Sequence, residues 1–227
     1  WGKGQNAPES WSLHYGVLYG DPSGNQLWDE LDSLLLRSWT LPNGRNIGVS
    51  ATCIDSGGHF TQAVYAFVKR TTGRKIYAIK DRGEEGRPAI PNRPSRNNIG
   101  KIPLYVLGSF ALKEQVLAQL RIEEPGPGFC HFPDTRPKEF FLGLLAEKIV
   151  TKYGKGYAKR SWQKTNRQRN EPLVCRVYSL AALMILNIRN MDKLAIRMNS
   201  EEGLDQHDEK PKRRMVRPRR NFATSWR

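Results

Sequence analysis

Apolar positions follow two rhythms along this chain, a period near two and a period near 3.6, and the rhythm changes about every dozen residues. Trp11 to Asp21 (WSLHYGVLYGD) mixes aromatic and aliphatic residues in near alternation, which predicts a strand with one face on a core. Gln26 to Trp39 then sets Leu27, Leu31, Leu34, Leu35 and Trp39 at helical spacing, with Asp29, Glu30 and Asp32 turned the other way. The run from Asn46 predicts a buried strand that ends on Asp55, and His59 to Thr71 a following helix. Lys75 to Lys80 and Ile102 to Leu107 read as short strands, and Ser109 to Leu120 as a helix whose Leu112, Val116 and Leu120 form a stripe. Phe129 to Phe132 predicts a short strand and Lys138 to Val150 a helix. Leu173 to Ile188 is apolar round most of its circumference, which predicts a helix buried in the domain.

Strands alternating with helices predict an α/β fold, a mixed central sheet flanked by helices. Two segments break the rhythm. Asp81 to Lys101, rich in Pro, Gly and Arg, reads as a long surface loop, and Asn190 to Arg227 as a disordered tail in which Glu201, Glu202, Asp205, Asp208 and Glu209 precede a wholly basic end. The expected division is therefore a domain over residues 1–189 and a flexible charged tail over 190–227.

Composition supports one packed domain: 227 residues, 38% of them hydrophobic and 26% charged. The 37 Lys+Arg against 22 Asp+Glu leave a formal net charge of +15, which favours a polyanionic partner, nucleic acid first. The cations cluster in three zones: the loop through Arg82, Arg87, Arg93, Arg96 and Lys101; Lys152 to Arg169; and the tail. The second zone holds Lys152, Lys155, Lys159, Arg160, Lys164, Arg167 and Arg169, no carboxylate, and Tyr153, Tyr157 and Trp162 interleaved. Cations there would hold phosphates and aromatics would meet bases or sugars, where the plainer alternative is a solvated basic face.

Cys53, Cys130 and Cys175 form no CxxC or Cys/His pattern, so buried free thiols in a reducing compartment are expected rather than zinc. No run approaches the roughly 20 apolar residues that span a bilayer, and no secretory signal opens the chain, so no membrane partner is expected. A chain that opens at Trp1 is expected to be a piece of a longer polypeptide.

The candidate chemistry centres on Asp55, followed at once by Ser56, Gly57 and Gly58. A carboxylate where a strand gives way to a glycine turn is placed to meet a hard cation or a phosphate, or simply to cap the next helix, and spacing leaves both open. No GxxxxGK[ST] or GxGxxG loop occurs. Ser56 with His59 is the one nearby serine and histidine pair, a weak basis for a hydrolase triad.

The ordered set WGKG…ESW, CIDSGGHFTQAVYAFV, FALKEQVLAQL, CHFP and RQRNEPLVCRVYSLAAL resembles the C-terminal nuclease part of the large terminase subunit of lambda-like tailed phages, in order from about Trp1 to Asn187. The resemblance implies an RNase H-like nuclease that uses acidic residues and two divalent cations, Mg²⁺ or Mn²⁺, to cut concatemeric double-stranded DNA during packaging. It implies a packaging ATPase, and hence ATP, only in an N-terminal domain absent here. It further implies the small terminase subunit and the portal as partners, in the cytoplasm of the bacterial host. By this resemblance Asp55 is a metal ligand, Ser56, Gly57 and Gly58 leave room for the scissile phosphate, Glu171 matches an acidic family position, and Lys80 and Lys113 fall on positions where a lysine can hold a phosphate.

Two departures accompany the match. The family's acidic residue on the first strand would precede Trp1, so that strand is truncated, and the family's late Asp corresponds to Val174, which cannot ligate a hard cation. Glu171 lies three residues before Val174 on one helical face and is expected either to substitute as ligand or to serve the helix start beside Pro172. His131 is read as a hydrogen-bonded strand histidine in preference to a metal ligand.

Overall fold

A computed structural model of the chain describes residues 1–2, 8–96, 100–154, 156–165 and 168–187. Its elements in chain order are β1 (Ser10–Trp11), α1 (Gln26–Leu35), β2 (Ser38–Thr40), β3 (Asn46–Gly48), β4 (Thr52–Asp55), α2 (Thr61–Arg70), β5 (Ile76–Arg82), β6 (Ser95–Arg96), β7 (Pro103–Gly108), α3 (Ser109–Gln119), β8 (Cys130–His131), α4 (Lys138–Leu144), β9 (Glu147–Gly154), β10 (Tyr157–Lys164) and α5 (Glu171–Leu186).

The central sheet runs β4-β5-β7-β6, with β4, β5 and β7 parallel and β6 antiparallel at the edge. This is the mixed α/β sheet the alternation predicted. Side chains alternate across it, so its two faces carry two cores. On one face Ile76, Ala78, Ile102 and Leu104 meet Val64, Tyr65, Phe67 and Val68 of α2, with Trp28, Leu31 and Leu35 of α1 packed on that cluster. Arg70 and Arg74 on the α2 side pair with Asp29 and Asp32 of α1, so the polar stripe of α1 also faces a partner. On the other face Ile79 and Leu107 meet Leu112 and Val116 of α3 and Leu173, Val177, Leu180 and Ala181 of α5. Parallel strands covered on both sides explain why KIYAIK and IPLYVL are nearly continuous apolar runs.

Several sequence expectations change. Of the predicted first strand only Trp11 pairs, with His131, beside Ser10 just ahead of it with Cys130; beyond them Leu13, Val17 and Tyr19 are exposed, so alternation there had no core to serve. The α1 pattern stops at Leu35, and Trp39 belongs to β2. Asn46–Asp55 is not one strand: β3 pairs with β2, and β4 begins afresh at Thr52. Helix α4 ends at Leu144, and Glu147 starts β9, because Ile149, Val150 and Thr151 are β-branched and find partners in β10. The loop from Asp81 is entered two residues later than expected and is interrupted by β6. The thiols are free, but Cys53 and Cys130 are only half-buried and Cys175 is exposed, since α5 presents it away from the sheet. The expected tail lies outside the described residues beyond residue 187, and among the described residues no helix is long and apolar enough to cross a membrane.

Candidate active site

The three parallel strands end side by side, and a carboxylate stands at the end of each of the first two. Asp55 closes β4 and Asp81 lies near the end of β5. Asp55 is in register with Ile79, and Asp81 is two residues further along β5, so both carboxylates leave the sheet on its α5 face. Ligand sites of open parallel sheets lie beyond these carboxyl ends.

Two donors orient Asp55. Its Oδ1 accepts the Gly57 N–H at 2.8 Å, and its Oδ2 accepts the Tyr178 hydroxyl at 3.1 Å. Gly57 matters sterically, since a Cβ there would stand 3.1 Å from Oδ1, whereas one at Gly58 would meet nothing within 4 Å. Tyr178 comes from α5, whose apolar residues press it onto the sheet. Burial foremost, and then the charges of Asp55 and Asp81, push its phenol above the usual tyrosine range. It therefore stays a hydrogen-bond donor.

The capping reading of Asp55 is excluded. Phe60 is the residue that opens α2, and no side chain caps it there. The carboxylate instead makes a local turn with Gly57 and remains exposed.

The other expected residues separate. Ser56 requires a correction: it is fully buried, and its hydroxyl donates to the Ile79 carbonyl at 2.8 Å, so it faces neither a phosphate nor His59. Gly57 and Gly58 are exposed beside Asp55. Lys80 alternates with Ile79 and Asp81 and so leaves β5 on the α2 face, opposite Asp55. Lys113 is also corrected: its ammonium meets Glu147 Oε2 at 2.7 Å, with the two side chains 12% and 4% exposed. Glu147 Oε1 accepts the Asn170 amide at 2.5 Å, which ties α3, β9 and the start of α5 together. Sequence reading missed this node because its members are 34 and 23 residues apart.

Glu171 lies at the start of α5, where its own backbone N–H foremost, and then Arg169 at 3.3 Å, hold its carboxyl below the usual range. It thus stands in the first turn of α5 beside Pro172, paired with Arg169. Val174 is half-buried one turn before Tyr178. His131 accepts the bland reading as well, with Nε2 2.6 Å from Glu9 and its ring stacked on Trp11. Among the described residues no three His, Cys, Asp or Glu side chains converge so as to hold a metal ion. An open groove of about 820 Å³ lies between His14–Leu18 and α1 and shares no residue with the Asp55 neighbourhood. Asp81 and Tyr178 were missed from sequence, although the continued alternation of IYAIKD and the Val174 to Tyr178 helical spacing both pointed to this face.

The second basic zone is a two-stranded antiparallel ribbon, β9 and β10. Lys152 and Lys159 face each other across it and are exposed. Arg160 is engaged by Glu85 at 2.9 Å and Glu114 at 2.7 Å, Lys164 stands opposite Glu147, and Arg169 pairs with Glu171. Lys155 and Arg167 lie outside the described residues.

These features, a carboxylate at the crest of a parallel sheet and a cationic ribbon, suit a protein that handles nucleic acid. The family model for "Terminase large subunit gpA, endonuclease domain" matches residues 1–194, and the chain belongs to that family. It is 31% identical to the terminase large subunit of Escherichia phage lambda, over 89% of this chain and 32% of that protein. It is 28% identical to the terminase large subunit of Enterobacteria phage P21, over 82% and 30%. The chain thus spans about a third of the length of these relatives. No solved structure matches it.

Proposed function

We propose that the chain is the RNase H-like nuclease module of a phage terminase large subunit, and that the intact polypeptide cuts concatemeric double-stranded DNA with the help of Mg²⁺ or Mn²⁺ during genome packaging. The observation that carries this reading is Asp55, exposed and oriented at the carboxyl end of β4 in a member of a terminase endonuclease family. The parallel strands with one antiparallel edge strand and helices on both faces support the RNase H-like assignment. Double-stranded DNA is the substrate proposed, and the small subunit and portal are the proposed partners, in the host cytoplasm.

The donors present do not fit a pair of cations. Asp55 offers one carboxylate and holds the Tyr178 hydroxyl, Asp81 a second whose charge acts on Tyr178, Glu171 is turned to Arg169, and Val174 has no donor atom. The chain by itself is therefore weakly active or inactive. A plasmid-nicking assay with Mn²⁺ tests this. Little nicking is expected; strong nicking abolished by Asp55→Ala would defeat the inactivity and keep the site, and strong nicking that survives Asp55→Ala would defeat the site.

Val174 and the unconverged donors also favour a second reading, a DNA clamp without catalysis. Calorimetry with Mn²⁺ separates the two: binding that disappears in Asp55→Ala supports the nuclease, and absence of binding supports the clamp.

A further inference from the structure

The register of the β9–β10 ribbon sorts its side chains onto two unlike faces. Glu147, Ile149, Thr151 and Tyr153 stand opposite Lys164, Trp162, Arg160 and Ala158, and from Glu147 to Arg160 this face looks to the body of the domain, while Tyr153 near the tip is 85% exposed. Trp162 Nε1 donates to the Phe110 carbonyl at 3.2 Å, Arg160 bridges Glu85 and Glu114, and Glu147 receives Lys113. The other face carries Lys148, Lys152, Lys159 and, at the tip, Tyr157. All four are exposed, Tyr157 at 78%. Lys148 and Lys152 have no ion-pair partner among the described residues, and Lys159 acts on Glu84 only at longer range. No carboxylate stands on this face.

We propose that this outer face of the ribbon docks in the major groove of duplex DNA, with Lys148, Lys152 and Lys159 on the flanking phosphates and Tyr157 leading into the groove. The proposal rests on the reading of the chain as a DNA-handling terminase domain and adds the element and face that meet the duplex. Eight residues per strand make an arm about 26 Å long. A two-stranded ribbon fits a major groove about 12 Å wide, while a minor groove of about 6 Å excludes it. The arm is fixed at its base by the polar and aromatic contacts of the inner face, so the backbone of the ribbon is ordered before binding and only the lysine side chains pay an ordering cost. A single-strand platform would need rings along the face, whereas here Lys148, Val150, Lys152, Lys159, Ser161 and Gln163 make up the row and the face's one ring, Tyr157, sits at the tip.

The test is fluorescence anisotropy of the whole chain on a short duplex across a salt series. Three lost phosphate contacts lower the slope of log affinity against log salt by about 2.7, so the advantage of the native chain over K148A/K152A/K159A shrinks about 40-fold between 50 and 200 mM salt. The Lys→Arg triple variant retains the native slope, which excludes misfolding as the cause. Tyr157→Ala weakens binding with the slope unchanged. A third strand filling the major groove competes with the ribbon-dependent binding, and a minor-groove ligand does not. A native chain that binds while the lysine triple binds equally, or competition by the minor-groove ligand alone, overturns the ribbon proposal and leaves the nuclease reading standing. A native chain that fails to bind duplex even at low salt overturns both.

Discussion

Replacing Lys113 by Met discriminates between a lysine that holds the fold and one that holds a phosphate. In the structure its ammonium lies 2.7 Å from a Glu147 carboxylate that is only 4% exposed, and Asn170 is the other side chain bonded to that carboxylate. Methionine fills the space but leaves a buried anion with a single amide donor. Breaking a buried pair by removing one partner costs about 3–5 kcal/mol, mostly the desolvation of the charge left behind. For a domain of this size each kcal/mol lowers Tm by about 2–4 °C, so a fall of roughly 6–20 °C is expected. Adding Glu147→Leu removes the stranded anion as well, and the double variant recovers much of the loss because the pair then costs no desolvation. Thermal melts followed by circular dichroism read all three proteins. A free phosphate-binding lysine would behave otherwise: K113M would keep its stability within about 0.5 kcal/mol of native, as surface substitutions do, and would lose DNA affinity instead. That result would refute the buried-node reasoning.

Other consequences follow from the same geometry. Tyr178 is held neutral in the folded chain above its ordinary value of 10.0, whereas the unfolded chain ionises there. Stability is therefore unaffected below about pH 10 and falls as pH rises beyond it, because only the unfolded state gives up that proton. Alkaline urea titrations are expected to show this slope, and Tyr178→Phe to remove that part of it; an unchanged slope in the variant would count against the buried phenol. Gly108→Ala would set a Cβ 2.4 Å from the Pro88 carbonyl oxygen and 2.8 Å from that of Arg87. Both obstacles are backbone, so a loss of at least about 1–3 kcal/mol is expected by denaturant unfolding, and near-native stability would contradict the close crossing of the 87–89 segment over the end of β7. On the nuclease reading Asp55→Ala is expected to abolish the Mn²⁺ binding that calorimetry detects while leaving stability within about 1 kcal/mol of native, since the side chain is exposed and makes only two hydrogen bonds.

The helices α2, α3 and α5 were legible because each buries a stripe long enough to repeat the helical period two or three times. The strands β5 and β7 were legible because burial on both faces makes them continuous apolar runs. Short elements were not. The break between β3 and β4 depends on which strand each joins, β2 for one and β5 for the other, and the end of α4 and the β9–β10 ribbon were obscured because the polar, cation-rich run after Glu147 lacks the apolar alternation that marks a strand. At the site, Asp55 was visible from the strand and glycine turn around it. Its full orientation was not, because one of its two donors, the Tyr178 hydroxyl, lies 123 residues later.

Local chemistry along the chain thus determined the α/β class, the excess of positive charge, the Asp55 turn and the family. Tertiary structure alone decided which charges are free to act. Lys113 and Arg160 are neutralised by carboxylates from other elements, Ser56 is closed off by the Ile79 carbonyl, and Lys148, Lys152 and Lys159 are gathered on one open face by strand register. Residue type sets what a group can do, but its desolvation and its partners are set by chain segments far away in sequence, so availability is a property of the folded molecule.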